Sequence, residues 1–162
     1  MVEDSAGAGP GGDIHVVALA GSGRVGSLRN ALSSLAPLPD GDIVLIVDDP
    51  DDDPISDDRR DPLLAQLAPG FATVAAYPVS DTVKWTDAAG LLVSTMDRAL
   101  LRRRTGMSAF VAGDLQRVCL AADDDDDDEI AAADAAGIAL RTVDIRDCVP
   151  TAGAGMPAPG GR

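Results

Sequence analysis

The chain has 162 residues, which is enough for one ordinary domain and too few for two. It carries 27 acidic and 13 basic residues, a formal net charge of -14. Because binding to phosphate backbones and to anionic bilayers depends on basic patches, this charge argues against nucleic acids and membrane surfaces as partners. Hydrophobic residues make up 46% of the chain but aromatic residues only 2%, so aliphatic side chains must build the core.

The cysteine count and the chain ends predict a cytoplasmic protein with one folded domain. Cys119 and Cys148 are too few for a structural zinc site, and a reduced pair is the simplest interpretation. No apolar run approaches the roughly 18 residues of a membrane span. The segment 1–12 lacks the basic and apolar regions of a signal peptide. It is predicted to be disordered, as is the Gly- and Pro-rich segment 151–162, which leaves 13–150 as the domain.

Apolar strands alternate with helical segments along the domain. The first predicted elements are a doubly covered strand at 14–20, a helix at 27–35, a buried strand at 43–47, a short helix at 61–67 with Pro62 in its first turn, and a strand at 71–79. They are followed by a β-hairpin at 82–96 with its turn at 87–90, helices at 114–122 and 128–136, and a strand at 138–143. This alternation favours an α/β architecture with mainly parallel pairing.

A glycine-rich segment joins the first predicted strand to the first predicted helix. Its sequence, GSGRVG at 21–26, fits the pattern G-x-G-x-x-G. Glycines at such a turn let backbone N–H groups approach a phosphate at the N-terminus of the helix. Asp48 follows the next strand, 22 residues past Gly26, where a ribose-binding acid is expected in a dinucleotide-binding domain. A dinucleotide site and a tight turn without a ligand both agree with this pattern.

The charged runs give weaker signals. The aspartates within 48–53 either hold Mg²⁺ at the end of the second strand or form a solvated loop. The acidic run 123–129 is interpreted as a solvated loop whose last acids favour a helix N-terminus. The arginines at 102–104 either bind an anion or pair with the acidic runs. His15 has no evident His or Cys partner and is interpreted as structural, and no nucleophile–base pair is recognisable in the sequence.

The segment 79–84, VSDTVK, followed by Asp97 and Arg98, is more specific than any of these patterns. It resembles the β-arm of the 2-C-methyl-D-erythritol 4-phosphate cytidylyltransferases, in which P-V-x-D-T-[VIM]-K precedes D-R or E-R and a leucine. Three more segments resemble the family in the same order. Residues 21–28 resemble the family's G-G-x-x-R-x-x-S-V segment, and residues 44–48 resemble its V-L-V-H-D strand end. Residues 127–128, which lie nine residues before Gly137, resemble its T-D-D turn. The resemblance covers about residues 13–147.

The resemblance implies a three-layer αβα domain with a mainly parallel sheet of nucleotidyltransferase-like, Rossmann-like topology and a protruding β-hairpin arm at 79–104. The residues that match the family's nucleotide-binding positions are Gly21, Ser22, Gly23, Arg24, Ser27 and Asp48. Asp48 also matches the family's Mg²⁺-binding aspartate, so Mg²⁺ is expected if CTP binding is retained. Thr82 and Arg98 match arm residues that, in the family, reach the methylerythritol phosphate bound in the partner subunit.

Parts of the family pattern have no counterpart in this sequence. The family's first strand, its glycine-rich CTP loop and a catalytic lysine are missing ahead of residue 13. Residues 147–151 stand where a second lysine is expected, and 106–108 replace a T-P-Q stretch. Lys84 is the only lysine in the chain. Because nucleotidyl transfer depends on charge stabilisation by fixed cations and Mg²⁺, no catalytic residue is assigned.

Three functional hypotheses follow. The first is a truncated, catalytically impaired relative of the nucleotidyltransferases of isoprenoid (methylerythritol phosphate) biosynthesis. It would dimerise through its arm, with itself or with a full-length cytidylyltransferase. The second is an active cytidylyltransferase with a reduced CTP–Mg²⁺ site, and the third is a small dinucleotide-binding domain. The missing strands are expected to expose a sheet edge and a hydrophobic face, which the other subunit, the Gly-rich termini or a rearranged sheet must cover.

Overall fold

The computed structural model describes residues 12–19, 23–48, 57–123, 126 and 128–145, without the side chains of residues 57 and 58. The disordered segments predicted at 1–12 and 151–162 lie outside these ranges, except for Gly12. The elements in chain order are β1 (Ile14–Ala18), α1 (Arg24–Ser34), β2 (Ile43–Val47), α2 (Asp57–Ala65), β3 (Phe71–Pro78), β4 (Lys84–Thr86), β5 (Leu92–Thr95), a 3-10 turn (Arg98–Leu100), β6 (Arg102–Val111), α3 (Ala112–Ala121), α4 (Glu129–Ala135) and β7 (Ala139–Asp144).

A five-stranded sheet in the order β1-β2-β6-β3-β7 forms the centre of the fold. β1 pairs parallel with β2, and β3 pairs parallel with β7, whereas β6 lies antiparallel between β2 and β3. All strands of this sheet except β6 therefore point in the same direction, which confirms the predicted mainly parallel sheet. β6 itself is not predicted from the sequence, because its first residues are arginines without apolar alternation.

Helices cover both faces of the sheet, which confirms the three-layer αβα arrangement. On one face, α1, α3 and α4 pack around a core that includes Leu28, Phe110 and Leu115. On the other face, α2 inserts Leu63 against Leu45 and its neighbours. Burying a leucine completely contributes about 1.5–3 kcal/mol, and Leu63 is 0% exposed. This side chain therefore anchors α2 to the sheet.

β1 is not the doubly covered strand predicted at 14–20. It is an edge strand that pairs with β2 alone. Ile14 and Val16 are 43% and 47% exposed, whereas Val17 is 6% exposed. Successive side chains of a strand point to opposite faces, so one face of β1 joins the core and the other carries apolar side chains in solvent. Among the described residues, β1 therefore forms a sheet edge with an exposed apolar face, as expected.

The helices lie close to their predicted ranges, with one clear exception. α2 begins at Asp57 instead of residue 61, so Pro62 lies inside the helix and not in its first turn. The ends of α4 follow the prediction. Asp128 caps it by accepting a hydrogen bond from the Ile130 N–H at 2.9 Å, and Gly137 follows it with a φ of 75°. Among the described residues, no helix has the length and apolarity needed to cross a membrane.

β4 and β5 form a hairpin separate from the main sheet, as predicted for the arm. The Asp87 carboxylate accepts hydrogen bonds from the N–H groups of Ala89 and Leu91, each at 2.9 Å. Gly90 has a φ of 80°, a conformation that glycine adopts without steric cost. The side chain of Arg98 donates to the Ser80 carbonyl at 2.7 Å and so ties together the two ends of the arm.

Candidate functional site

The candidate site lies where β1 and β2 end and α1 begins. Gly23 precedes α1 in a left-handed conformation, with φ 66° and ψ 41°, and Asp48 directly follows β2. The Leu19 N–H donates to the Val47 carbonyl at 2.8 Å, so the ends of the two strands stay paired. In open α/β sheets the ligand crevice lies outside such carboxyl ends.

Two arginines and two carboxylates form a network at this edge, which we name the edge network: Arg24, Asp48, Arg104 and Glu129. Arg24 donates from Nε to Glu129 Oε2 at 2.9 Å and from Nη2 to Asp48 Oδ1 at 2.5 Å. Arg104 donates from Nη2 to Glu129 Oε1, and the same nitrogen lies 3.9 Å from Asp48 Oδ1. The Glu129 side chain is 0% exposed and that of Asp48 is 44% exposed. The Glu129 carboxylate is therefore structural, whereas the Asp48 carboxylate is open to a ligand.

The carboxylates of the edge network stabilise the charged form of Arg24. The pKa of the Arg24 guanidinium is raised above its ordinary value. Burial alone would lower this pKa, but the hydrogen bond and charge of Glu129, and then those of Asp48, outweigh burial. Arg104 Nη1 also donates to Asp128 Oδ1 at 3.1 Å. Both arginines are therefore fixed cations beside Asp48.

β6 approaches Asp48 closely at Gly106. The Asp48 N–H donates to the Gly106 carbonyl at 2.9 Å. A Cβ atom at residue 106 would lie 2.6 Å from Asp48 Oδ2, and Gly106 has a φ of 72°. Both the contact distance and the left-handed conformation require glycine here. In the sequence, Gly106 is visible only as part of a departure from the family pattern.

The structure brings some of the predicted nucleotide-binding residues together. Arg24 and Asp48 are in direct contact, and Gly23 and Ser27 lie at the start of α1, where the Ser27 N–H donates to the Gly23 carbonyl at 3.0 Å. Gly21 and Ser22 are outside the described residues, so their predicted role stays a prediction.

The predicted phosphate-contacting residues of the arm are placed apart from the edge network. Thr82 and Arg98 are exposed and flank the hairpin strands β4 and β5. This placement agrees with residues that act on a partner, which stays a prediction. His15 Nε2 lies 2.8 Å from Asp42 Oδ2, in agreement with its structural interpretation.

Glu129 and Arg104 were not singled out from the sequence as site residues. The acidic run 123–129 is interpreted there as solvated, which is wrong for Glu129 because its side chain is fully buried against two arginines. One signal was available, since Glu129 and Glu3 are the only glutamates among 27 acidic residues. For Arg104, of the two alternatives for 102–104, pairing with the acidic run is the one observed.

Asp48 is the one carboxylate of the predicted Mg²⁺-binding run that lies among the described residues, because 49–53 lie outside them. Among the described residues, no group of three or more His, Cys, Asp or Glu side chains is placed to bind a metal ion. Mg²⁺ does not need such a group, because it keeps several waters and binds through one or two carboxylates plus substrate phosphates. Oδ1 of Asp48 is engaged by Arg24, whereas Oδ2 makes no hydrogen bond with a described residue. This single oxygen fits a nucleotide-borne Mg²⁺.

The sheet order, the hairpin arm and the carboxyl-edge site define a nucleotidyltransferase-like α/β domain. The profile of the family "IspD: 2-C-methyl-D-erythritol 4-phosphate cytidylyltransferase" matches residues 6–148. The chain belongs to this family, which confirms the resemblance seen in the sequence. Together with the antiparallel β6 at the centre of the sheet, this result favours the two cytidylyltransferase hypotheses over the dinucleotide-binding one.

Relatives and solved structures agree with this assignment. The 2-C-methyl-D-erythritol 4-phosphate cytidylyltransferase of Pseudomonas fluorescens (strain SBW25) is 36% identical over 131 residues, covering 78% of this chain and 56% of the relative. The one of Nocardia farcinica (strain IFM 10152) is 46% identical over 70 residues, covering 43% and 27%. The crystal structure of the Francisella tularensis enzyme shares the fold, with a TM-score of 0.56 at 22% identity, over 75% of this chain and 58% of that chain. The chain thus spans 58% or less of the length of each of these relatives.

Proposed function

We propose that this chain is an associating member of the cytidylyltransferase family that dimerises through the arm at 79–104 and has little or no cytidylyl transfer activity of its own. The observation that carries the proposal is the arm, a hairpin without a core in the single chain. Every residue of β4 and β5 is exposed. A two-stranded hairpin alone is marginally stable in water, so a partner surface is expected to cover it.

The arm carries the apolar surface that an interface needs. Its large exposed side chains are Trp85 at 60%, Leu91 at 66%, Leu92 at 61%, Val93 at 60% and Leu100 at 81% exposure. Burying one such side chain contributes about 1.5–3 kcal/mol, and a two-fold dimer buries each of them in both subunits. Covering a few of them therefore reaches the ~4–15 kcal/mol that association costs in lost freedom.

The partner is a second copy of the chain or a full-length cytidylyltransferase. In either dimer, Thr82 and Arg98 extend from the arm toward the partner's site. The Arg98 side chain is anchored at the Ser80 carbonyl and exposed beyond it. Contact of these two residues with the acceptor phosphate of the partner follows from the family resemblance.

The weak activity is inferred from the cations that the chain possesses. Lys84, its only lysine, lies on the arm with Nζ 2.6 Å from Thr95 Oγ1 and is therefore not part of the edge network. Oδ1 of Asp48 is engaged by Arg24. Losing one preorganised donor costs about 10²–10³ in rate, so replacement of the C-terminal family lysine within 147–151 lowers turnover substantially.

The edge network favours a second candidate, an active transferase with a reduced site. Arg24 and Arg104 converge on Asp48 as fixed cations, and arginine binds phosphate oxygens well. Here CTP binds along 23–27 with Mg²⁺ on Asp48, and the acceptor phosphate oxygen attacks the α-phosphorus of CTP and expels pyrophosphate. Mg²⁺ supplies charge neutralisation on the triphosphate.

The molecular mass in solution tests dimerisation, and the rate of pyrophosphate release separately tests catalytic activity. Light scattering after size exclusion should give a dimer mass for the chain alone or for its mixture with a full-length cytidylyltransferase. Replacing Trp85 and Leu92 with serine should give a monomer. Leu120→Ser is the matched control, because Leu120 is 86% exposed but lies on α3. A monomer both alone and mixed rejects the dimer.

Pyrophosphate release from CTP with polyol phosphates measures turnover. Release above that of an Asp48→Ala variant would replace the impaired hypothesis with the active one. Release equal to that of the Asp48→Ala variant supports the impaired one.

A further inference from the structure

The strand β1 has a row of backbone groups without partners at the edge of the main sheet. Asp13 directs its backbone toward β2, since its carbonyl accepts from the Ile43 N–H at 2.9 Å. Successive residues of a strand direct their backbone groups to opposite sides, so Ile14, Val16 and Ala18 direct theirs away from β2. No described residue hydrogen-bonds to these outward N–H and C=O groups. They are therefore available to a further strand.

The side chains of the same three residues form an apolar stripe on the α2 face of the sheet. Ile14 and Val16 lie beside Ile43 and Leu45 in the register of β1 with β2. Those two β2 side chains belong to the core under α2. Because Ile14 and Val16 are only about half covered, the apolar core on this face continues past β2 into solvent.

β1 has none of the features that usually protect an edge strand from pairing with another chain. Such features are lysines, prolines, bulges and charged side chains that point into the sheet. The sequence of β1 is IHVVA, and it pairs with β2 without a register shift. The opposite edge strand, β7, carries Arg141 and Asp144. Of the two edges of the described sheet, β1 is therefore the one suited to pairing.

Charge and symmetry indicate a second copy of this chain as the occupant. The net charge of -14 makes copies repel each other, but the stripe of Ile14, Val16 and Ala18 is uncharged, so two stripes meet without repulsion. A two-fold axis perpendicular to the sheet makes two β1 strands antiparallel. An axis at Val16 sets Val16 opposite the partner's Val16 and Ile14 opposite the partner's Ala18. His15 then lies opposite the partner's Val17, so no two charged groups of the strands face each other.

This register also gives every outward backbone group of β1 a partner. Opposed residues of an antiparallel pair exchange both hydrogen bonds when their backbone groups face each other. Val16 does so with its own copy, and Ile14 does so with the partner's Ala18. An axis at His15 or Val17 would instead set one of the outward residues opposite a residue outside β1. The complete pairing therefore requires the axis at Val16.

We propose that two copies of this chain associate through β1 in this register and extend the main sheet across the pair. A contact one short strand long is far smaller than a standard protein interface, so the association is weak and forms at high protein concentration. It uses neither the arm nor a nucleotide, and so goes beyond the proposed function. A chain that pairs through both the arm and β1 has two interfaces and builds assemblies larger than a dimer.

Sedimentation velocity of the full chain with Trp85 and Leu92 replaced by serine tests β1 apart from the arm. This variant should be a monomer at micromolar concentration and a dimer near millimolar concentration. Adding Val16→Lys should weaken dimerisation about tenfold or more, because two lysines would lie directly opposite each other. Leu140→Lys is the matched control and should leave dimerisation unchanged, because Leu140 is 36% exposed but lies on the other edge strand, β7.

Disulfide crosslinking in a Cys148→Ser background determines the register, since Cys119 is buried. Val16→Cys should crosslink on oxidation at high concentration, because directly opposed residues have Cα atoms about 5.5 Å apart, within the reach of a disulfide. Ile14→Cys alone should not crosslink, because the partner's Ile14 lies about 14 Å away along the strands. A mixture of Ile14→Cys and Ala18→Cys chains should crosslink. These variants decide the question even if Val16→Lys does not fold.

Three results would overturn the proposal. The first is a monomer at every concentration, which includes the case in which segment 1–11 of the same chain covers β1. The second is equal weakening by Val16→Lys and Leu140→Lys, which would indicate a general charge effect. The third is crosslinking of Ile14→Cys alone as fast as that of Val16→Cys.

The outcome for β1 is separate from the outcome for the arm. A dimer of the serine variant that Val16→Lys dissociates supports β1 even if the arm does not associate. A dimer of the unmodified chain at micromolar concentration, with a serine variant that stays monomeric at every concentration, supports the arm and rejects β1.

Discussion

Glu129→Ala is expected to destabilise the chain strongly, because Glu129 holds the edge network together. Its side chain is completely buried, and its two oxygens bind Arg24 and Arg104. Removing one partner of a buried ion pair costs about 3–5 kcal/mol, since the other charge is left uncompensated. Asp48 and Asp128 still contact the two arginines. The expected loss is therefore near the lower end of this range, about 3 kcal/mol.

Urea unfolding followed by circular dichroism measures this loss as a shift of the midpoint at unchanged slope. Asp134→Ala is the control, because Asp134 is an exposed acid on the same helix and surface substitutions usually change stability by less than about 0.5 kcal/mol. A loss below about 1 kcal/mol for Glu129→Ala would refute the reasoning. It would mean that Asp48 and Asp128 neutralise both arginines without the buried carboxylate.

Two further predictions concern Gly106 and Cys119. Gly106→Ala should cost more stability than Gly70→Ala by about 1–3 kcal/mol, the usual cost of forcing an extra carbon into a packed site. Both glycines have a positive φ, but only at residue 106 would the new Cβ collide with Asp48; equal losses in urea unfolding would contradict this. Burial raises the pKa of the Cys119 thiol against the opposing charge of Arg29. The unfolded chain therefore loses the thiol proton first, and the free energy of unfolding should fall as the pH rises above the ordinary thiol pKa of 9.0. The free energy of unfolding is measured against pH for a Cys148→Ser variant and for the double variant that also carries Cys119→Ala. Identical pH profiles of the two variants would contradict the prediction.

The arm could be predicted from the sequence because its signals are local. An aspartate and a glycine within four residues determine the turn. The same holds for α4, where Asp128 and Gly137 mark the two ends. β2 was predicted with its correct bounds, because a continuous apolar run of that length is typical of a strand covered on both faces.

The apolar run of β1 shows where this argument fails. It resembles β2 in composition, yet β1 lies at the sheet edge with Ile14 and Val16 in solvent. Which strand takes the centre of a sheet depends on the pairing of distant segments. An apolar run shows that burial is favourable and not that a covering layer exists.

By itself the sequence determined the fold class, the arm, the family and the approach of Arg24 and Asp48 to one edge of the sheet. Only the tertiary structure decided that β6 runs antiparallel through the centre of the sheet and that Glu129, the last residue of an acidic run, is buried. The reason is distance along the chain. Glu129 binds Arg24, which is 105 residues away along the chain, and Arg104, which is 25 residues away. No local pattern of charges encodes which acidic side chain contacts two arginines once the strands have paired.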